Sequence, residues 1–201
     1  MGSELRAELY YVLSAALKEP DEDFAREVAN GSLAGCLGSA FAELGIPAEN
    51  PAALQLPAQQ LSLEYRQLFG CTGNRRLVPV ESFYRPWSLD PDCQNLIAKQ
   101  TGYLMGDAAV HMQRLYRNLQ ITTPPQYQSC PDHLCLELEL MGLLCEHQDY
   151  REQRKFLLDH LLWVKDLAKD CQKLALTGFY PAIINAVSRF IAQDREFLER
   201  Q

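Results

Sequence analysis

The stretch that most constrains the fold is residues 131–144, which are apolar on nearly every side of a helical projection. A surface helix carries polar residues on one face, so a helix that is apolar all round has to be surrounded by other elements. Pro131 is favoured at a first helical position, because its missing N–H has no partner within the helix there. The sequence therefore predicts a buried helix that begins near Pro131, with Asp132 in its first turn, where the helix dipole favours a negative charge.

Apolar residues recur at helical spacing along the rest of the chain, and no strand pair, hairpin turn or repeat interrupts them. The spacing predicts helices over residues 4–18, 21–30, 32–44, 61–69, 91–119 with a break at 102–106, 150–176 and 178–201. Proline-rich or aperiodic segments at 46–57, 75–87 and 122–129 are predicted to be loops or short turns. We therefore expect an all-α protein, a single-domain helical bundle of about eight to ten helices over residues 1–201.

The composition narrows the classes of partner. A net charge of −7 argues against nucleic acid, because phosphate binding needs a basic surface, and it suits a cationic peptide instead. The first residues lack a basic region followed by an apolar core, so we expect no signal peptide. No apolar run in the chain reaches the ~20 residues that are needed to span a membrane. Seven cysteines, an odd number with irregular spacing, indicate reduced thiols and a cytoplasmic location.

Sequence motifs for enzymatic chemistry are absent. Residues 70–75 contain two glycines but lack the preceding strand and the lysine of a phosphate-binding loop, so we expect a helix end and a turn. The chain has no Glu-x-x-His pair for a di-iron site and no Gly-x-Ser-x-Gly elbow. His111 and His160 lie on amphipathic helices, and we expect them at the edge of the core with hydrogen-bond partners. These observations predict no catalytic residue, no metal and no cofactor.

Two groups of residues suit the binding of a peptide. Asp132, His133 and Glu137 lie at the start of the buried helix, and the last two share one face because they are four residues apart. The segment 81–87 combines a carboxylate with aromatic rings, a pairing that suits a peptide that is both apolar and basic. The candidate peptide-binding residues of this segment are Glu81, Ser82, Tyr84 and Trp87. A capped helix with a structural salt bridge, and a loop held by its own aromatic residues, are the alternatives for these two groups.

Three separated blocks of the sequence resemble the TorD/DmsD/NarJ family of maturation chaperones for molybdenum-containing redox enzymes. Residues 131–134, Pro-Asp-His-Leu, resemble the Glu-Pro-Asp-His motif of that family, with Cys130 in place of the glutamate. Residues 65–70 and 79–84 resemble its Tyr-x-x-Leu-Phe and Pro-x-Glu-Ser-x-Tyr block, and residues 160–163, 179–180 and 190–191 resemble its C-terminal helices. Three blocks in the same order are more specific than one tetrapeptide.

The resemblance implies an all-helical cytoplasmic chaperone that is not an enzyme. Such a protein would bind the N-terminal twin-arginine signal peptide of the catalytic subunit of a molybdopterin oxidoreductase, and hold that subunit back from export until its cofactor is inserted. By motif match, the peptide site would contain Pro131, Asp132, His133, Glu81, Ser82 and Tyr84, to which the chemistry of the neighbouring side chains adds Glu137 and Trp87.

Two other functions stay open from the sequence. One is a NarJ-like role, in which the client is a cytoplasmic subunit that is never exported. The other belongs to a different class, a metal or small-molecule enzyme that uses Asp132, His133 and Cys135. The sequence is compatible with a monomer or a homodimer, and it does not identify the client.

Overall fold

The computed structural model describes residues 2–47, 49–70 and 77–201. These residues form nine α-helices of eight residues or more, one α-helix of a single turn and two short 3-10 helices, without a β-strand. The α-helices are α1 Ser3–Ala16, α2 Glu22–Ala29, α3 Ser32–Glu43, α4 Ala58–Phe69, α5 Glu81–Tyr84, α6 Asp107–Asn118, α7 Leu134–His147, α8 Tyr150–His160, α9 Val164–Lys173 and α10 Phe179–Leu198, and the 3-10 helices are Pro51–Leu54 and Pro125–Tyr127. The prediction of an all-α fold is confirmed.

Two sequence predictions are not decided by these helices. The single domain over residues 1–201 stays a prediction. The turn predicted at residues 70–75 falls mostly on residues 71–76, which lie outside the described part of the chain. Among the described residues, no helix combines the length and the apolar character that crossing a bilayer requires.

Helix α7 is buried along most of its length, as its apolar sequence predicts. Leu134, Leu138 and Met141 are fully buried, and α1 packs closely along the helix. Gly142 permits this approach, because a Cβ added there would lie 2.6 Å from a ring carbon of Tyr11. The close packing of α1 against α7 forms the centre of the hydrophobic core.

Helix α10 is tied to the other helices by polar groups at both ends. At its start, the Glu64 carboxylate accepts hydrogen bonds from the backbone N–H groups of Phe179 (3.2 Å) and Tyr180 (2.9 Å). These N–H groups have no partner within the helix, so a carboxylate from α4 satisfies them and complements the helix dipole. Near its end, Asp194 binds the buried guanidinium of Arg6 on α1.

The helix predicted over residues 91–119 is wrong in its first half. Residues 91–106 form turns and bends, and only α6 is helical. Short polar side chains explain the difference. The Asp90 carboxylate accepts a hydrogen bond from the Asp92 N–H (2.9 Å), and the Asn95 side chain accepts one from the Ile97 N–H (3.1 Å). Such local bonds compete with the helical pattern of the backbone and favour turns.

The predicted start of the buried helix is also wrong. Helix α7 begins at Leu134, with His133 as the residue that caps it, so Pro131 and Asp132 precede the helix. The backbone of these residues pairs with another segment: the Asp132 carbonyl accepts a hydrogen bond from the Glu81 N–H (3.0 Å). A contact distant in sequence therefore holds Asp132 outside the first turn, where the local pattern predicts it.

Two further boundaries differ from the predictions. The segment predicted as one helix over residues 150–176 is divided into α8 and α9 by a turn at residues 161–163, although no glycine or proline lies there. Trp163 in this turn packs against Tyr84, with ring centroids 5.2 Å apart, so tertiary packing decides the break. The segment predicted as a loop over residues 75–87 contains the single helical turn of α5.

Candidate functional site

The two candidate groups predicted from the sequence meet in the structure. Val80 and His133 form an isolated antiparallel bridge, and the Leu134 N–H donates a hydrogen bond to the Pro79 carbonyl (2.9 Å). With the bond between the Glu81 N–H and the Asp132 carbonyl, these contacts align the segment before α5 with the segment before α7. We call this contact the α5–α7 junction, formed by residues 79–82 and 131–134.

Asp132 is fully buried at the junction. Its Oδ2 accepts a hydrogen bond from the Ser82 N–H (2.7 Å), at the start of α5, while Oδ1 has no hydrogen-bond partner among the described residues. Burial raises the pKa of the Asp132 carboxyl, and the hydrogen bonds from Ser82 offset part of this increase. The side chain therefore fixes α5 relative to α7, and it is covered from solvent.

His133 caps α7 with a neutral imidazole. Its Nδ1 accepts a hydrogen bond from the Cys135 N–H (3.3 Å), which satisfies one of the free donors of the first helical turn. Burial lowers the pKa of His133 to about 4, because the charged form loses its hydration. The imidazole is therefore an uncharged part of the junction at neutral pH.

Three ionisable side chains converge behind the junction. His160 Nδ1 lies 2.7 Å from Glu81 Oε2, and the Trp163 indole N–H donates a hydrogen bond to Glu137 Oε2 (3.0 Å). Burial raises the pKa of Glu137 well above its ordinary value, and the negative charges of Glu81 and Asp132 raise it further. Burial and the neighbouring carboxylates therefore both favour the neutral form of the Glu137 carboxyl group.

The same three side chains are the one set among the described residues that could together hold a metal ion. Their ligand atoms, on Glu81, Glu137 and His160, lie within 4.8 Å of one another. A cation is already present, however, since Nε of Arg85 lies 2.7 Å from Glu81 Oε1. The Arg85 guanidinium therefore already supplies a positive charge to the Glu81 carboxylate of this set.

Arg85 closes this cluster on the solvent side. Besides its ion pair with Glu81, it donates a hydrogen bond from Nη2 to the carbonyl of Asp159 (2.8 Å) at the end of α8. Its side chain is 27% exposed, whereas that of Glu81 is 1% exposed. Arg85 is thus the polar group that separates the buried carboxylates from solvent.

Two adjoining cavities lie between α6 and α8, and we call them together the α6–α8 groove. One cavity, of about 500 Å³, is reached by Glu81, Arg85, Asp107 and Arg114, and the other, of about 240 Å³, has both apolar and polar residues in its wall. The apolar walls are Leu115, Leu119, Leu140, Leu144 and Phe156. Three residues, His111, Asp159 and His160, line both cavities. The groove therefore combines a half in which carboxylates and two arginines share one cavity with a half that carries an apolar patch among polar residues.

The aromatic candidates occupy two different places. Tyr84 stacks on Trp163, whose indole binds Glu137, so it belongs to the buried cluster. Trp87 lies further along, where its indole N–H donates to the Leu104 carbonyl (3.3 Å) and its own carbonyl accepts from the Asp107 N–H (2.8 Å). Trp87 therefore connects the irregular segment 85–106 to the start of α6.

The structure brings most of the predicted site residues together. Those in or next to the α5–α7 junction are Pro131, Asp132, His133, Glu137, Glu81, Ser82 and Tyr84. Sequence reasoning missed Arg85, Asp159 and Trp163 as members of the site and placed His160 only at the core edge. Glu81 and Arg85 are four residues apart, which is about one helical turn, and this spacing could have predicted the ion pair between them.

The residues of the alternative enzyme do not form a reactive set. His133 Nδ1 lies 3.0 Å from Cys135 Sγ, but the cysteine is fully buried and burial raises the pKa of its thiol to about 12. A buried thiol with a raised pKa is a poor nucleophile and a poor metal ligand. Asp132 is bound to the Ser82 N–H rather than to the imidazole. The arrangement is that of a packed helix start.

Comparisons with known proteins agree on one group of relatives. A family model described as nitrate reductase delta subunit matches residues 21–169. A chaperone protein TorD from a Psychrobacter species is 29% identical, over 89% of this chain and 87% of that protein. A chaperone protein TorD from Photobacterium profundum is 25% identical, over 98% of this chain and 95% of that protein.

One solved structure extends the likeness to the fold. The crystal structure of a protein assigned as a redox enzyme maturation protein from Archaeoglobus fulgidus covers 96% of this chain and 93% of its own. The TM-score is 0.55 at 20% sequence identity, which shows a shared fold.

Proposed function

The chain belongs to the nitrate reductase delta subunit family, and from that membership we propose that it binds the N-terminal twin-arginine signal region of a molybdopterin oxidoreductase catalytic subunit. It acts in the cytoplasm, where it assists cofactor insertion and assembly before the subunit is exported. The relatives reported above are named chaperones, which confirms the expectation that the chain is not an enzyme.

The α6–α8 groove is the observation that carries this proposal. A twin-arginine signal peptide is basic at one point and apolar beyond it, so its receptor needs carboxylates beside an apolar surface. Glu81, Asp107 and Asp159 reach one half of the groove, beside Arg85 and Arg114, and leucine and phenylalanine side chains form an apolar patch in the other half. Guanidinium groups bind carboxylates through charge-assisted hydrogen bonds, and apolar grooves receive the apolar face of a peptide.

Position relative to the groove divides the predicted site residues into two roles under this proposal. Glu81 lines the groove and receives an arginine of the client, and Tyr84 and Trp87 hold the segment that follows it. Pro131, Asp132, His133, Ser82 and Glu137 are buried like Glu81 but do not line the groove, and they act from behind by fixing the position of Glu81. They are positioning residues, and we expect their substitution to weaken peptide binding through the geometry of the α5–α7 junction.

A second candidate is the NarJ-like role, which the description of the matching family favours. In that role the client is a molybdopterin oxidoreductase subunit without an export signal. The two candidates differ in the client alone, so one experiment separates them.

Capture of the client from the organism of origin tests the proposal. The tagged chain is purified from those cells, and its bound proteins are identified by mass spectrometry. We expect a molybdopterin oxidoreductase catalytic subunit whose leader is still attached, with less recovered by Glu81→Gln than by Glu199→Gln, a carboxylate change on the exposed end of α10. A captured subunit without a twin-arginine leader would establish the NarJ-like role instead. Recovery that is unaffected by deletion of the leader would contradict the proposed binding site.

A further inference from the structure

We infer that Arg85 is an intramolecular occupant of the site for a client arginine, so that the client's guanidinium displaces that of Arg85 from Glu81. This inference rests on the proposed function, since it concerns how the same groove selects an arginine. It makes Arg85 a residue that determines specificity, whereas a static salt bridge would contribute to stability alone.

The contacts of Arg85 are those that a bound arginine would make. Nε lies 2.7 Å from a carboxylate oxygen of Glu81, and Nη2 donates to the carbonyl of Asp159. A planar guanidinium can bind acceptors in two directions at once, which the compact ammonium of lysine cannot do equally well. The receptor for one guanidinium is therefore already built, and a residue of the same chain occupies it.

The ion pair of Arg85 is poorly aligned. The two atoms are close, yet neither Arg85 Nε nor Glu81 Oε1 makes a hydrogen bond of acceptable geometry with any described residue. Arg85 follows directly after the last residue of α5, and Glu81 is the first residue of that helix, so the backbone fixes the direction from which the guanidinium approaches. A guanidinium that enters from the groove does not have this restriction, and it can form an aligned, charge-assisted pair.

The groove supplies the space for the exchange. The cavity of about 500 Å³ is lined by both Glu81 and Arg85, and the side chain of Arg85 is partly exposed to solvent. Asp107 and Asp159 also line this cavity. A displaced Arg85 therefore has two further carboxylates within the groove, and it does not have to remain unpaired.

The burial of Glu81 makes the exchange selective. Its second oxygen is bound to His160, and its side chain is 1% exposed, so the loss of Arg85 without a replacement would leave a buried carboxylate without the guanidinium that balances its charge. Removing one partner of a buried ion pair is strongly unfavourable. A peptide can displace Arg85 only if it brings a cation of its own, and a neutral peptide is excluded from this position.

Titration calorimetry with two synthetic peptides tests the exchange. One peptide has two adjacent arginines followed by a leucine-rich segment, and in the other both arginines are glutamine. We expect Arg85→Ala to bind the arginine peptide roughly tenfold more tightly than the unchanged protein does, and the glutamine peptide no more tightly. The matched control is Arg114→Ala, which removes a positive charge from the same cavity without uncovering Glu81, and we expect a gain of less than about threefold from it.

Arg85→Lys provides a second variant in case the alanine variant does not fold. It keeps the charge beside Glu81 and weakens the contact with the Asp159 carbonyl, so we expect an affinity for the arginine peptide between those of the unchanged protein and Arg85→Ala. A loss of affinity in either variant, or a gain in Arg85→Ala no larger than that of Arg114→Ala, would overturn the exchange while leaving peptide binding intact. If neither the unchanged protein nor any variant binds the arginine peptide, the proposed function fails together with this inference.

Discussion

Asp132 illustrates how burial decides what a site residue does. Its carboxylate binds the Ser82 N–H and has no access to solvent, so under the proposed function it would act on a peptide only through α5. A change that removes the acceptor should therefore affect stability and binding together, whereas a residue that contacts the peptide directly would affect binding alone. Variants of Asp132 can separate these two roles.

We expect Asp132→Ala to lower the free energy of unfolding by about 1–3 kcal/mol, because the buried Ser82 N–H loses its acceptor. Asp132→Asn keeps an acceptor oxygen, and we expect it to cost at most about 1 kcal/mol. Urea unfolding measures both values, with Asp166→Ala on the surface of α9 as the control. An alanine variant as stable as the unchanged protein would show that Asp132 does not hold the junction.

His133 gives the protein a dependence of stability on pH. Burial lowers its pKa from 6.5 to about 4, so below pH 6.5 the unfolded chain binds a proton that the folded protein does not. The neutral imidazole therefore stabilises the fold above pH 6.5, and this contribution is lost as the pH falls towards 4. Between pH 7 and pH 5 the loss amounts to about 2 kcal/mol.

We expect His133→Asn to remove most of this pH dependence, because asparagine can still cap α7 and does not titrate in this range. The measurement is the free energy of unfolding at pH 7 and pH 5 for each protein. His147→Asn is the matched control, since His147 is exposed at the end of the same helix. Equal losses on acidification in the unchanged protein and in His133→Asn would contradict a buried, neutral His133.

At the scale of elements, long-range polar contacts decide details that local patterns do not show. The turn chemistry of residues 91–106 was present in the sequence as Asp90 and Asn95, but the helical spacing of the apolar residues concealed it. The start of α7 and the turn between α8 and α9 depend on segments far away in the chain, and no local signal marks them. The central position of α7 was predictable, because an all-round apolar helix has to be buried.

A buried network of hydrogen bonds and one ion pair joins α1, α8 and α10. Arg6 on α1 is fully buried and forms an ion pair with Asp194 on α10, and it donates a hydrogen bond to Gln153 on α8 (2.6 Å). The Tyr10 hydroxyl also donates to Asp194 (2.7 Å). The guanidinium nitrogens of Arg6 and the hydroxyl of Tyr10 all have hydrogen-bond acceptors. A buried ion pair is tolerated under this condition.

We expect Asp194→Ala to cost about 3–5 kcal/mol in unfolding free energy, because it leaves the Arg6 guanidinium buried without a counter-charge. Arg6→Met combined with Asp194→Ala should cost less than the sum of the two single changes. Glu199→Ala, in the exposed pair with Arg195, is the control and should cost at most about 0.5 kcal/mol. Additive costs in a double-mutant cycle would contradict a coupled network.

At the scale of the whole molecule, the sequence predicted the type of fold, and it singled out the two segments that meet at the α5–α7 junction. It did so because helical periodicity and the motif blocks at residues 79–84 and 131–134 are local features. The α6–α8 groove was not predictable in the same way, since it depends on how α6, α7 and α8 pack. Arg85 in particular is an ordinary loop arginine in the sequence, and only the fold places it between Glu81 and Asp159.

The central claim is that the groove recognises an arginine-bearing leader, and peptide titration by calorimetry tests it most directly. We expect the unchanged protein to bind a peptide with an arginine pair and a leucine-rich segment roughly tenfold more tightly than the same peptide with both arginines changed to glutamine. Added salt should weaken the arginine peptide by less than about tenfold, because the apolar contacts are not screened. Equal affinity for the two peptides, or no binding of either, would contradict the claim.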